Sequence, residues 1–201
     1  MENVYGIFAL ILGTIGAAAY IRDTYHKRTL PHRFAWLIFL ILSVVSFASQ
    51  AALGAQASLF YAGWFVVNNI IIVGLSFRKN GGHGEISKIN IFCLMLAIVG
   101  IVLWKTLSSP LLALISVLIA DGIGAIMIVL KSYKYPQSET LIMWVLGIVA
   151  SGLSALSVGK LDIVLLASPI QLLFFNIAIV VAILLGNQFN KRVKLQSELL
   201  K

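Results

Sequence analysis

Seven stretches of nearly continuous apolar residues divide this chain, at about 4–21, 34–52, 58–76, 89–104, 110–130, 140–158 and 163–187. Each approaches or exceeds the ~20 residues that an α-helix needs to cross a bilayer core. The fourth is the shortest and crosses with little tilt. Short polar segments separate the runs: RDTYHKRTLPHR, GAQA, FRKNGGHGEISK, KTLSSP, KSYKYPQSE and GKLD. No run alternates with a period of two, so the pattern predicts helices and not the strands of a membrane barrel. The expectation is an all-α membrane protein with seven transmembrane helices. The start, MENVYG, has no basic segment, and the first run ends in Arg22 rather than at a small-residue cleavage site, so the first helix is expected to be retained.

Composition agrees. Of 201 residues, 60% are apolar and only 11% are Asp, Glu, Lys or Arg, against about 25% charged residues in an ordinary soluble domain. Mean hydropathy is +1.00. A soluble globular enzyme and a disordered tail are excluded on these figures. The net charge of +8 describes topology, not a nucleic-acid surface. With seven spans, 13 of the 15 Lys and Arg fall in the first, third and fifth loops and the C-terminal tail, leaving Lys105 and Lys160 on the other side. The positive-inside rule then puts the C-terminus in the cytosol and the N-terminus outside, as expected of a plasma (inner) membrane protein. The basic tail KRVKLQSELLK is either a solvated segment or one that lies on an anionic leaflet.

A shift of 108 positions lays GTIGAAAYIRDTYHKRTLPHRFAW on DGIGAIMIVLKSYKYPQSETLIMW without a gap. Gly16, Tyr25 and Trp36 meet Gly124, Tyr133 and Trp144; further on, Ser46, Ser49 and Asn68 meet Ser154, Ser157 and Asn176. Matches of Ile, Leu and Val mean little in apolar helices, but Trp, Tyr and Asn are scarce there and all three match in one register. The repeat predicts two three-span units, 1–80 and 108–188, joined by a linker helix in 81–107 and followed by the tail 189–201. Three spans are odd in number, so the single linker gives both copies the same orientation: a 3+1+3 chain of parallel three-helix bundles.

Candidate chemistry lies in the few polar residues at membrane depth. Asp121 is about twelfth in its 21-residue run. A carboxylate at the bilayer centre costs at least about 2.5–3.5 kcal/mol and usually faces a cavity or a partner. It is read as a proton-titrating or cation-binding group or an acceptor for solute hydroxyl or amino groups, against the alternative of a neutral structural Asp. Its repeat mate is Gly13, which predicts an asymmetric site, and no Lys, Arg or His lies in any span to pair with it. Asn68 and Asn176 are central in their runs; an amide offers two donors and an acceptor without a charge, which suits a polar neutral solute, the alternative being interhelical hydrogen bonds worth about 0.6–2 kcal/mol each. Trp64 precedes Asn68 by one helical turn and shares its face, either stacking on a ligand ring or anchoring near the headgroups. Gln171 is assigned to an outer vestibule and Gln50 to the headgroups. Trp36 and Trp144 are read as interface anchors, and the paired serines as close-packing positions.

Metal and enzyme chemistry lack their constellations. The three His, at 26, 32 and 83, fall in loops, there is one Cys, and no HExxH motif occurs. No nucleophile and base are paired within the spans. NGGHG is read as a flexible linker. No cofactor is expected.

The 3+1+3 order, an outside N-terminus and one Asn at matching places in spans three and seven resemble the SWEET and PQ-loop (MtN3-like) transporter superfamily over essentially the whole chain. That resemblance implies alternating access of two three-helix bundles, with Asn68 and Asn176 lining a central site for a small polar solute. It departs in one device: the positions of the family's helix-bending prolines hold Ala19 and Met127, and the Pro136–Gln137 pair lies in a loop. Three function classes remain: a facilitative carrier of a sugar-like solute, a proton-coupled carrier of an amino acid or vitamin, and a receptor on the same fold that binds without transport. The expected partners are the lipid bilayer, the solute and, for the second class, protons; one chain holds both halves of the pathway, and a homo-oligomer is compatible with it.

Overall fold

A computed structural model describes residues 1–31, 33–78 and 88–199. His32, His83, Lys79, Lys201 and the NGGHG segment lie outside them. The described residues are all-helical, with no strand. The helices are α1 (Glu2–Tyr25), α2 (Arg33–Ala52), α3 (Ser58–Ser76), α4 (Lys88–Leu107), α5 (Pro110–Lys134), α6 (Leu141–Leu156) and α7 (Ile163–Leu199), with a 3-10 turn at Pro136–Ser138 before α6. Pro110 opens α5, where its missing N–H costs nothing. Asp162 caps α7: its Oδ1 accepts from the backbone N–H of Val164 at 3.0 Å and Leu165 at 3.2 Å, two donors that the first turn would otherwise leave free.

Several boundaries differ from the sequence expectation: α1 and α5 each run four residues beyond their apolar runs, to Tyr25 and Lys134. α6 has 16 residues, about 24 Å of helix. It ends where Gly159 takes a positive φ of 72°. α7 has 37 residues and continues through the region expected to be a separate tail, because no Gly or Pro interrupts the chain there. Pro169 lies inside α7 without ending it. By length and composition, four helical segments are able to cross a membrane: Glu2–Tyr25, Ser58–Ser76, Pro110–Lys134 and Ile163–Lys191. Three shorter apolar segments accompany them, Trp36–Ala52, Leu94–Leu103 and Leu141–Leu156.

Six helices form a closed ring. α3 packs on both α1 and α2, and α7 packs on both α5 and α6; the two sets meet where α1 lies on α6 and where α2 lies on α5. α4 stands outside this ring, against α5 and, less extensively, α2. Apolar side chains cover the outside, among them Phe8, Ile11 and Ile15 on α1, Ile119 and Ile126 on α5, and Phe174 and Val181 on α7. Polar side chains are turned inward: Ser49, Asn68, Asn69, Ser151, Ser154 and Asn176 are all buried. An apolar exterior around a polar interior is the arrangement that a lipid solvent selects.

Asp162 provides a test of the α7 start. Its two backbone hydrogen bonds, the first from Leu165, and the ammonium of Lys160 at 3.2 Å hold the carboxyl below its ordinary value. A carboxyl depressed in the folded state contributes stability above its unfolded value and loses it as pH falls through the folded one. Asp162→Ala is therefore expected to lower the melting temperature in detergent at pH 7, and the gap to wild type is expected to close as the pH is taken down through the carboxylate range.

Candidate solute-binding site

The ring encloses a cavity of about 80 Å³. That is several times the ~10–15 Å³ that houses one water molecule. Every ring helix contributes to its wall: Ala17 from α1, Trp36 from α2, Asn68 from α3, Asp121 from α5, Trp144 from α6 and Asn176 from α7. Four of the five expected site residues, Trp64, Asn68, Asp121 and Asn176, line it together. They come from three helices and are brought to one place by the ring closure.

Gln171 is not brought there. Its Nε2 donates to the carbonyl oxygen of Leu118 on α5 at 2.8 Å, which makes it an interhelical tie between α7 and α5. It lies five positions before Asn176, a rotation of about 140° around the helix, so the two side chains cannot share a face.

The wall carries unsatisfied polar atoms. Asn68 is 2% exposed, and its Oδ1 has no hydrogen-bond partner among the described residues; the same holds for Trp64 Nε1. Asn69, which sequence position alone turns away from Asn68, also lines the cavity. Its Nδ2 donates to Ser43 Oγ at 3.1 Å and more weakly to the Phe39 carbonyl at 3.5 Å, while its Oδ1 stays unpartnered. A buried polar atom without a partner costs about 1–3 kcal/mol. Several of them on one cavity wall mark a place where water or a solute completes the hydrogen bonding. Asn176 is accommodated by a glycine: a Cβ at Gly147 on α6 would stand 2.7 Å from Asn176 Oδ1. No side chain other than hydrogen fits there while the amide keeps its position.

Asp121 borders this cavity and a second one of about 40 Å³. The second cavity runs between α2, α3, α5 and α7 and is walled by Ser43, Ser46, Gln50 and Ser168. Gln50 is 3% exposed; its Nε2 donates to Ser46 Oγ at 3.1 Å and Ser168 Oγ at 3.4 Å. It is thus an interior residue and does not reach the headgroups as expected. The Asp121 carboxylate makes no ion pair or side-chain hydrogen bond with any described residue. None of the described residues lining either cavity is Lys, Arg or His.

The opposite end of the central cavity is closed by aromatic rings. Trp36 and Trp144 are 6% and 8% exposed and line the cavity, so neither stands free as the interface anchor expected. The buried ring of Tyr20 packs against both, at centroid distances of 5.3 and 6.5 Å. Trp144 Nε1 donates to Glu139 Oε2 at 3.2 Å, and the other Glu139 oxygen pairs with Lys131 Nζ at 2.9 Å. Beside it, Thr29 and Thr140 hydroxyls meet at 2.9 Å, and Thr140 donates to Asp23 Oδ2 at 3.0 Å. These ties join the end of α1 and the α1–α2 loop to the residues that precede α6. The sequence holds one signal for this closure, the matched Trp36 and Trp144, but not the partners of either.

No cluster of His, Cys, Asp or Glu able to hold a metal ion occurs among the described residues. Compared with family models, with curated proteins and with solved structures, the chain finds no match.

Proposed function

We propose that this protein is an integral membrane carrier that moves a small polar solute by alternating access of two three-helix bundles, α1–α3 and α5–α7, about the central cavity. The observation that carries this reading is the cavity itself. It is walled by all six ring helices and holds Asn68 and Trp64 atoms with no hydrogen-bond partner among the described residues. The parallel repeat supports it in two ways. The neighbour order is the same in both halves, the third helix of each lying between its first two. In addition, six pairs of lining residues stand 108 positions apart, among them Trp36 with Trp144 and Asn68 with Asn176. A pseudo-twofold axis along the membrane normal therefore runs through the cavity, as in carriers built from parallel repeats. On this reading all seven helices span the bilayer, with the basic loops and the C-terminus in the cytosol, and the aromatic closure at Tyr20 is the cytosolic gate. The architecture resembles that of the SWEET and PQ-loop superfamily without its prolines.

A second reading, in which transport is coupled to protons, is favoured by Asp121. Its carboxyl has no ion-pair or side-chain hydrogen-bond partner among the described residues and lines both the central cavity and the second cavity beside Gln50. A receptor that binds without transport has no observation of its own in its favour.

Uptake into proteoliposomes tests the carrier. Pools of labelled sugars, amino acids, amines and nucleosides are presented with and without a proton gradient. Asn176→Ala is expected to reduce the flux of the accepted solute at least tenfold while the protein stays monodisperse. Unchanged flux in Asn176→Ala would remove the central cavity from the pathway. Gly147→Ala places a methyl group against the Asn176 amide. It is expected to raise KM several-fold with little change in melting temperature, because the amide swings aside into the cavity instead of straining the backbone.

A further inference from the structure

The groups left without partners on the cavity wall are mostly of one kind. Among the described residues Asn68 Oδ1 and Asn69 Oδ1 are acceptors without a partner and Trp64 Nε1 is a donor without one; the Asp121 carboxyl, which no described side chain pairs with, lines the same wall. Around them stand the rings of Trp36, Trp64, Trp144 and Tyr61, with three phenylalanines. This lining suits poorly a polyhydroxylated solute, whose many hydroxyls would meet aromatic faces and forfeit their hydrogen bonds with water. It suits poorly an inorganic cation, which needs a shell of about six oxygens. A small organic cation answers most of these elements: its positive charge meets the acceptors and the aromatic faces attract the charged head, while the unpartnered Trp64 Nε1–H is left to water.

The lack of a counter-charge on the described walls points the same way. A lone ionised carboxylate in an apolar wall is unstable unless a cation accompanies it; otherwise it takes up a proton. The titratable groups facing Asp121 are few. Tyr61 of α3 lines the same cavity; α1 contributes Gly13 and Ala17, α2 Trp36 and Phe39, α6 Gly147, and α7 Leu172 and Asn176. α4, on the far side of α5, carries Lys88 and Lys105 only at its two ends. We propose that the cavity takes a small organic monocation with an apolar body, and that Asp121 holds either this cation or a proton, so that the carrier exchanges one for the other. The balance is simple: the protonated carboxyl and an incoming cation give the carboxylate–cation pair and one released proton. The second cavity, which Asp121 borders, sets the polar side chains of Ser43, Ser46 and Gln50 near the carboxyl, and on this proposal the proton travels along them. The inference rests on the carrier reading for its exchange step, but not for the binding step.

The test is therefore binding first and flux second. Purified full-length protein is titrated with benzylammonium and choline, both of which keep their charge between about pH 5.5 and 8, and with their uncharged counterparts benzyl alcohol and 3,3-dimethylbutan-1-ol. Tryptophan fluorescence reports occupancy. At least one cation is expected to bind ten times or more tighter than its neutral counterpart. Its affinity is expected to rise by up to about tenfold per pH unit on the acid side of the Asp121 titration, with about one proton released per cation in weakly buffered solution. Asp121→Asn is expected to weaken binding at least tenfold and to flatten the pH profile, and Asp121→Glu to retain both. The proton release is read on wild type, so a variant that fails to fold does not decide the outcome. Equal binding of the neutral counterparts, a binding isotherm indifferent to pH and to Asp121→Asn, or no binding of either cation would overturn the proposal. Cation binding without flux in vesicles would retire the carrier and keep the cation site. Flux of a neutral solute that needs Asn176, without cation binding, would do the reverse.

Discussion

The constraint on which this molecule turns is that a lipid solvent satisfies no hydrogen bond. A polar side chain at mid-membrane depth must find its partner inside the protein or enclose water there. The sequence places Asn68, Asn69, Asp121 and Asn176 in the middle of apolar runs. Each helix must then be rotated so that these residues leave the lipid, and six helices rotated in that way close on a common interior. The outward faces, held by residues such as Ile119 and Val181, follow from the same rotation. Inside, the polar groups outnumber the partners available, and the surplus appears as unpartnered atoms on a cavity wall.

The two halves of the ring share an order of packing but not a chemistry. Asp121 stands where the matching position on α1 is Gly13, and Gly147 where the matching position on α2 is Phe39. The first half thus fills its side of the cavity: a Cβ on Gly13 would meet the Tyr61 ring at 2.6 Å, and Phe39 packs within 2.6 Å of where a Gly124 Cβ would lie. The second half leaves room and supplies the charge. On the carrier reading, two similarly ordered halves with a carboxyl on only one of them give a solute a single orientation.

Much of this is legible in the sequence, and the parts that are not have a common cause. Asn68, Asn176, Asp121 and Trp64 stand out because a polar or aromatic group in mid-run has few reasons to be there. Helix number and most boundaries follow from the apolar runs. Gln171, Gln50 and the tryptophan pair are misplaced by sequence alone because a one-dimensional run gives depth but not the direction of a side chain around the helix. Gln171 points to the Leu118 carbonyl, and Gln50 to two serines, by virtue of neighbours far away in sequence. Glu139, the partner of both Lys131 and Trp144, lies in a loop and carries no signal. The angle between Asn69 and Asn68 argues against a shared site, yet the cavity is wide enough to take in both. The length of α7 escapes a reading that takes polarity as the end of a helix. Polarity ends only the apolar stretch, and a helix continues until a breaker or a competing cap stops it.

The two ends of the cavity are held by different forces, and on the carrier reading that difference sets the direction of the first movement. At the end near Gln50 the ties are hydroxyls and an amide at 3.1–3.4 Å, bonds that water can replace one at a time at little cost. At the Tyr20 end the closure combines tilted and edge-to-face aromatic rings with the Lys131–Glu139 pair, whose carboxylate is 2% exposed. Opening that end means exposing Trp36, Tyr20 and Trp144 together and rehydrating Glu139, a change that has to be offset by new interactions elsewhere in the molecule. On the carrier reading the end near Gln50 is therefore the one that opens at the lower cost. The aromatic end needs a bound solute, or a change of charge at Asp121, to shift its equilibrium. A ligand moves such an equilibrium only by its difference in affinity for the two conformations, and Asp121, touching both cavities, is placed to feel that difference.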